Sequence, residues 1–507
     1  MAAGQTTARD DVLDLLGSTR FDLLVIGGGI VGCAIAWLGA RAGLRVALVE
    51  RGDLAGATSS ASSKLIHGGL RYLQMGDIGL VREAHAERHA LARVVAPQLV
   101  RPRAFLVPVY RGGPVRSSTL RAGLVLYGGL GRFADGGGSL LRPSAARRLV
   151  PALRTSGLRS AGRYVDHETN DARMTIAVAR AAALAGAQVA TRVEVRALRM
   201  LGGRVAGAEC ADVVGGAAFS VEATCVVNAT GPWVDELRRM ADPAAPRSLR
   251  FAKGAHIVVR LDEPWDAALT TPLEGGRVQF ANPWEGALLV GTTDEPYEGD
   301  PRALEVSDAD VEQIVRESRV AIDPGIVERD RILSSFAGVR VLPQGDGETP
   351  SARRETVLDR GADGMLSIAG GKFTTFRRIA LDALERLRGD LDLRALDRAP
   401  APLPCAADPG EVAERLLREH PSLEPAGARH LARFHGSDAA ALLAPARGDP
   451  SLLEPLAPGA PEIAAQVPWA REREWALTAD DVLARRTTLA VLGRAEAART
   501  RVEELLR

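Results

Sequence analysis

Residues 21–50 read FDLLVIGGGIVGCAIAWLGARAGLRVALVE. The apolar run FDLLVI ends in glycines, the following stretch has helical periodicity and closes at Gly43, and a second apolar run ends at Glu50. This is a strand, helix, strand unit, the opening that a parallel sheet built by right-handed crossovers requires. Gly27, Gly29 and Gly32 form GxGxxG at the strand-to-helix turn. Glycine lets the backbone turn tightly and approach a pyrophosphate, a helix N-terminus offers unpaired N–H groups, and Glu50 can accept hydrogen bonds from ribose hydroxyls. The complete unit reads as dinucleotide-binding in preference to a glycine-rich turn of an ordinary α/β protein. By itself it does not choose between FAD and NAD.

Outward from this unit, short strands continue to alternate with helices, as in TIAVARAAALAGAQVATRVEV (175–195) and around AAFSVEATCVVNATG (217–231). With 507 residues, 46% of them hydrophobic, the chain is long enough for two or three domains. The expected fold is α/β: a Rossmann-like domain intertwined with a mixed, mostly antiparallel substrate domain, then an all-helical C-terminal domain. Residues 1–20 read as a polar tail. Residues 21–393 form the discontinuous nucleotide-binding domain, with substrate parts at roughly 98–165 and 245–345. The Pro- and Ala-rich stretch 394–409 reads as a linker. Residues 410–507 carry amphipathic patterns such as EVAERLLREH, GARHLARFHG, DDVLARRTTLAVLG and EAARTRVEELLR.

Composition excludes several classes. The chain has 64 basic and 63 acidic residues, a formal net charge of +1, so no global attraction to nucleic acid is expected. Cys33, Cys210, Cys225 and Cys405 lack the spacing of a disulfide framework or a zinc site, and no metal is expected. The N-terminus lacks a signal-peptide pattern and no long uncharged apolar run occurs, so a cytoplasmic protein is expected, with peripheral contact at the inner face of the cell membrane left open.

The segment ATSSASSKLIHGGLRYL (57–73) mixes hydroxyls and glycines with Lys64, His67, Arg71 and Tyr72. Hydroxyl and backbone N–H groups can bind cofactor phosphate, and a histidine followed by two glycines can approach a flat ring; a solvated helix start with capping serines is the plainer alternative. Lysine is scarce: only Lys64, Lys253 and Lys372 stand against 61 arginines. Where such a chain keeps lysine, either a compact ammonium is wanted in place of a planar fork or the three positions are chance.

SSASSKLIHGGLRYL resembles the signature of FAD-dependent, respiratory glycerol-3-phosphate dehydrogenases. NATGPWVD from Asn228, KGAHIVV from Lys253, VGTTDEPYEGDP from Val290, FAGVRVLP from Phe336 and GGKFTTFR from Gly370 occur in that family's order. EWALTADDVLARRTTL from Glu474 is similar to the segment near the end of many members, so the resemblance covers nearly the whole chain. It implies FAD as cofactor, sn-glycerol 3-phosphate oxidised to dihydroxyacetone phosphate by hydride transfer to flavin, and a quinone as electron acceptor. It places Gly27, Gly29, Gly32 and Glu50 on the ADP half of FAD and Thr58, Ser59, Ser60 and Ser62 along the pyrophosphate and flavin. Lys64 and His67 share that segment, Val193 is expected at adenine, and Ala229, Thr230 and Gly231 form a second cofactor-facing turn. Gly371, Lys372 and Thr374 are expected beside the flavin ring.

For substrate, the resemblance points to Arg71, Tyr72, His256, Arg340, Arg354 and Lys372. Several donors around a small phosphate ester are chemically coherent, since each charge-assisted hydrogen bond contributes roughly 1.5–3 kcal/mol. His67 and His256 are the candidate bases, with His67 favoured, and Arg340 is expected beside the reacting group. Phe376 and Val341 depart from the commoner tyrosine and proline, without removing a charge. An oxygen-using glycerophosphate oxidase, an amino-acid or hydroxyacid oxidase and a non-catalytic flavin scaffold are the alternatives. The helical domain is the place for a homodimer contact or for docking on a membrane.

Overall fold

A computed structural model describes residues 9–74, 76–344, 356–393 and 396–507, with Arg71 and Gln74 described by their backbone alone. Two sheets organise the molecule. In the first, Arg20–Ile26 lies between two parallel partners, Val46–Glu50 and Ala218–Asn228, with Leu24 opposite both Ala47 and Val226. Gln188–Thr191 extends the parallel order on one side and Leu366–Gly370 on the other. Val193–Leu201 and Arg204–Asp212 add an antiparallel meander to this sheet.

The helix Ile30–Arg41 is buried almost throughout because it is covered on both sides. It packs on the sheet through Leu23, Val25 and Leu48 and is overlaid by Asp171–Leu184 and Phe376–Arg386, all within one core. A helix apolar on every face is what such a central position selects. The opposite face of the sheet is covered by Arg9–Ser18, so the expected tail is partly a helix: Val12 and Leu16, four residues apart, both enter a core with Phe21, Val205 and Val221.

The second sheet contains Arg101–Tyr110, Leu158–Glu168, Leu249–Arg260, Ala267–Pro272, Val278–Trp284, Ala287–Gly291 and Ile332–Pro343. Its pairings are antiparallel except that of Ala267–Pro272 with Arg101–Tyr110. The two-residue strand Leu65–Ile66 joins its edge, which ties the 57–73 segment of the nucleotide domain to the substrate sheet. Apolar clusters fill both faces of this sheet, one with the helix Asp308–Ser318 and one with Ser117–Leu130.

The C-terminal part is helical, from Pro409–Glu419 to Ala495–Leu506, around its own core. DDVLARRTTLAVLG departs from the expected helix: after Ala479–Asp481 it forms a π turn, Val482–Arg486, and then an irregular run. The Thr487 hydroxyl donates to the carbonyls of Val482 and Leu483, and Arg486 reaches out to Asp53, so local polar bonds displace helical ones. The segment read as a linker is packed down as well: Leu403 and Cys405 are buried in the core of the nucleotide domain, and the Leu403 amide donates to Val95. Proline and alanine break helices there without making the chain a free spacer. Among the described residues, no helix is long and apolar enough to cross a membrane.

Candidate active site

A cavity of about 830 Å³ lies where the two sheets meet. Its first wall is the glycine turn. Gly27 has φ +116°, and a Cβ there would fall 2.5 Å from the Ala229 carbonyl. Gly32 does not line the cavity; a Cβ at Gly32 would lie 2.0 Å from the Gly27 carbonyl, so it sets how closely helix and turn pack. Gly29 does line it, and a side chain there would meet Ser59 Oγ at 3.2 Å. The Ser59 hydroxyl accepts from the Ile30 amide at 3.0 Å, joining the serine-rich segment to the helix N-terminus. Bare backbone, a helix N-terminus and hydroxyls in one wall suit a pyrophosphate.

Glu50 accepts from the Gly28 amide at 2.6 Å with one oxygen and from the Gly52 amide at 2.7 Å with the other. Burial raises its carboxyl above the ordinary value, and the two amide donors oppose that shift. Each oxygen keeps a second lone pair for a ribose hydroxyl. Val193 lines the cavity, together with Arg192 and Arg485, two residues not anticipated from sequence. Ala229, Thr230 and Gly231 line it too, as do Thr58 and Ser62. Thr58 Oγ1 donates to the Val339 carbonyl at 2.9 Å, and the Ser62 amide donates to Asp171 at 2.9 Å.

A second group of cavity residues comes from the substrate sheet. The register pairs His256 with Phe336, Gly254 with Gly338 and Ala252 with Arg340. His256 stacks on Phe336 with ring centroids 5.0 Å apart, and its Nε2 is 2.9 Å from Ser63 Oγ. Burial, reinforced by the charges of Arg340 and Lys64, pulls the His256 pKa down to about 3, so the ring is neutral near pH 7. Arg340 Nη1 is 2.7 Å from Asp294, and its Nη2 donates to Thr292 Oγ1 at 3.3 Å. A Cβ at Gly254 would stand 2.7 Å from that hydroxyl, so glycine keeps the pocket open beside Arg340.

His67, Gly371, Lys372 and Thr374 complete the wall. The His67 amide donates to Thr374 Oγ1 at 3.2 Å, bringing HGG and GGKFTT together across 307 residues. The Lys372 ammonium stands 3.5 Å from the centroid of the Tyr72 ring, so Tyr72 packs against a lining residue and is not itself one.

Lys64 and Ser60 fall elsewhere. Lys64 does not line the cavity: Nζ is 2.5 Å from Asp171 and donates to the Ser60 carbonyl at 2.6 Å, so its ammonium holds the loop in place. Ser60 does not line it either; its hydroxyl donates back to the Ala57 carbonyl at 3.2 Å. The Arg71 side chain and the whole of Arg354 lie outside the described residues. Lys253, the third lysine, is bound 2.5 Å from Asp310 at the start of Asp308–Ser318. The three lysines therefore stand at buried or half-buried ammonium sites, only one of which lines the cavity.

Ser63 and Thr292 sit inside the matched motifs, and their contacts with His256 and Arg340 are too distant in sequence to read. Trp233 also lines the cavity, with the Arg302 guanidinium 5.2 Å from its ring.

Comparison with known proteins agrees with this geometry. A family profile described as FAD dependent oxidoreductase matches residues 22–377, and one described as C-terminal domain of alpha-glycerophosphate oxidase matches residues 401–507. Glycerol-3-phosphate dehydrogenase 2 of Mycobacterium tuberculosis is 37% identical, covering 94% of this chain and 82% of the relative. Aerobic glycerol-3-phosphate dehydrogenase of Escherichia coli is 36% identical over 92% of this chain and 93% of its own length. The crystal structure of glycerol-3-phosphate dehydrogenase from Bacillus halodurans in complex with FAD superposes with a TM-score of 0.79 at 26% identity, covering 99% of this chain and 92% of that one.

Proposed function

The chain belongs to the FAD-dependent glycerol-3-phosphate dehydrogenase family, and from that premise we propose that it oxidises the C2 alcohol of sn-glycerol 3-phosphate to dihydroxyacetone phosphate and passes the electrons to a quinone. The observation that carries this reading is a single cavity lined both by the glycine turn with Glu50 and by His67, His256, Arg340 and Lys372. FAD, when bound, supplies the two-electron acceptor.

The chain's own residues do the rest. Arg340 and Lys372 offer N–H donors and positive charge to a phosphate dianion, and two such charge-assisted contacts suffice for roughly 3–6 kcal/mol of binding. Asp294 holds one edge of the Arg340 guanidinium and so fixes its plane. His256 stays neutral and hydrogen-bonds with Ser63, which suits it to positioning more than to holding a proton. His67 is the group assigned to take the hydroxyl proton. The 57–73 segment is anchored through Lys64, Asp171 and Thr374, which keeps that histidine on a fixed backbone.

Naming of the relatives as dehydrogenases supports an acceptor other than oxygen. The test is turnover with glycerol 3-phosphate in the presence of a short-chain quinone, with hydrogen peroxide assayed in parallel. Quinone reduction without matching peroxide is expected. Peroxide at the same rate would make the protein an oxidase, the second reading that the glycerophosphate-oxidase profile over residues 401–507 favours.

A further inference from the structure

The motif EWALTADDVLARRTTL plays no part in the mechanism above, yet it supplies one residue, Arg485, to the wall of the cavity. Arg485 stands on the π turn Val482–Arg486, a local widening of helical geometry that recurs at functional sites. Its Nε pairs with Asp53 and its Nη2 donates to Asp481 at 2.7 Å. Nη1, with two N–H donors, has no acceptor among the described residues. Arg486 beside it is buried and clamps Asp53 from the other side, donating to Oδ1 at 2.7 Å.

Asp53 follows Glu50 by three residues and lines the cavity with it, together with Arg192 and Val193. The Arg192 amide donates to the Gly52 carbonyl at 3.0 Å, and its guanidinium donates to both oxygens of Asp481 at 2.7 and 3.0 Å. Asp481 is wholly buried and belongs to the helical domain, and Arg173 to Glu474 makes a second buried bidentate contact at 2.7 and 2.6 Å. Asp53 and Asp481 therefore orient the Arg192 and Arg485 guanidinium groups beside Glu50 in the cavity wall.

We propose that the C-terminal helical domain is part of the cofactor site, with Arg485 binding the ADP half of FAD through its Nη1 and Asp53 and Asp481 acting as its positioning residues. Because one arginine belongs to both the domain contact and the ligand contact, FAD binding and docking of residues 474–488 are coupled. The coupling is reciprocal: FAD holds the domain down, and a docked domain tightens FAD. This inference rests on the FAD reading of the cavity.

The test uses the full chain depleted of flavin, with affinity for FAD and for ADP measured by equilibrium dialysis and amide exchange followed in residues 474–488. R485Q is expected to raise the Kd for FAD about tenfold or more, the loss of one charge-assisted hydrogen bond, and to weaken ADP by a similar factor. R499Q, which removes a more exposed arginine paired with Asp480 in the same domain, is the control and should leave both constants unchanged. In the unmutated protein FAD should slow exchange in 474–488, an arm that stands even if R485Q fails to fold. Less than a fivefold change in either Kd, or exchange in 474–488 that ignores FAD, overturns the proposal. A wild-type chain that takes up no FAD would instead bring down the functional reading beneath it.

Discussion

Lys64 Nζ and Asp171 Oδ1 stand 2.5 Å apart with side chains 2% and 0% exposed, so the motif that carries His67 is anchored by a fully buried ion pair. Removing one partner of such a pair strands the other charge and costs about 3–5 kcal/mol. Asp171 also accepts from the amides of Ser62 and Ala172, which keeps it partly satisfied. K64M should therefore fall at the low end, about 3 kcal/mol, measured by chemical denaturation. A loss below about 1 kcal/mol would mean that the pair is not formed in solution.

Arg340 lines the cavity from the second sheet, an element separate from the glycine turn that suits pyrophosphate. R340A should raise KM for glycerol 3-phosphate by roughly ten- to a hundredfold, the worth of one or two charge-assisted hydrogen bonds, while FAD content stays near one per chain. Equal loss of flavin and of substrate affinity would place Arg340 on the cofactor.

Gly32 is expected to tolerate no side chain. A Cβ would stand 2.0 Å from the Gly27 carbonyl, and a backbone atom cannot swing aside as a side-chain tip can. G32A should yield protein with little or no flavin, read from the ratio of visible to ultraviolet absorbance; a full flavin complement would contradict the packing described.

This turn was legible because every contact that shapes it lies within a short stretch of chain or follows from the parallel sheet. Glu50, 22 residues from Gly28, is placed by the strand, helix, strand repeat alone. The Ser63 to His256 contact, 193 residues apart, was not legible, since nothing local in either motif names the other. Lys64 misled for a related reason: its neighbours in sequence are cavity residues, but its φ of +59° turns the chain and its ammonium meets Asp171 from another helix. The C-terminal π turn was equally hidden, because its arginines leave the helical pattern to reach an aspartate more than 400 residues away.

His256 titrates near 6.5 when unfolded and near 3 when folded. The folded state thus binds fewer protons between those values, so stability is complete above about pH 6.5 and is lost as pH falls toward 3. This histidine alone contributes a slope of up to ~1.4 kcal/mol per pH unit. H256Q should flatten the fall in Tm between pH 6 and 4.5. An unchanged slope would mean that His256 is solvated and titrates normally.

Anaerobic absorbance of the purified protein tests the central claim most directly. Addition of glycerol 3-phosphate should bleach the flavin band within seconds, while glycerol and lactate leave it intact, because the cavity joins the glycine turn to Arg340 and Lys372, the cations proposed to bind the phosphate. A flavin band that persists with the phosphate ester, or that glycerol or lactate bleaches as readily, would contradict the account.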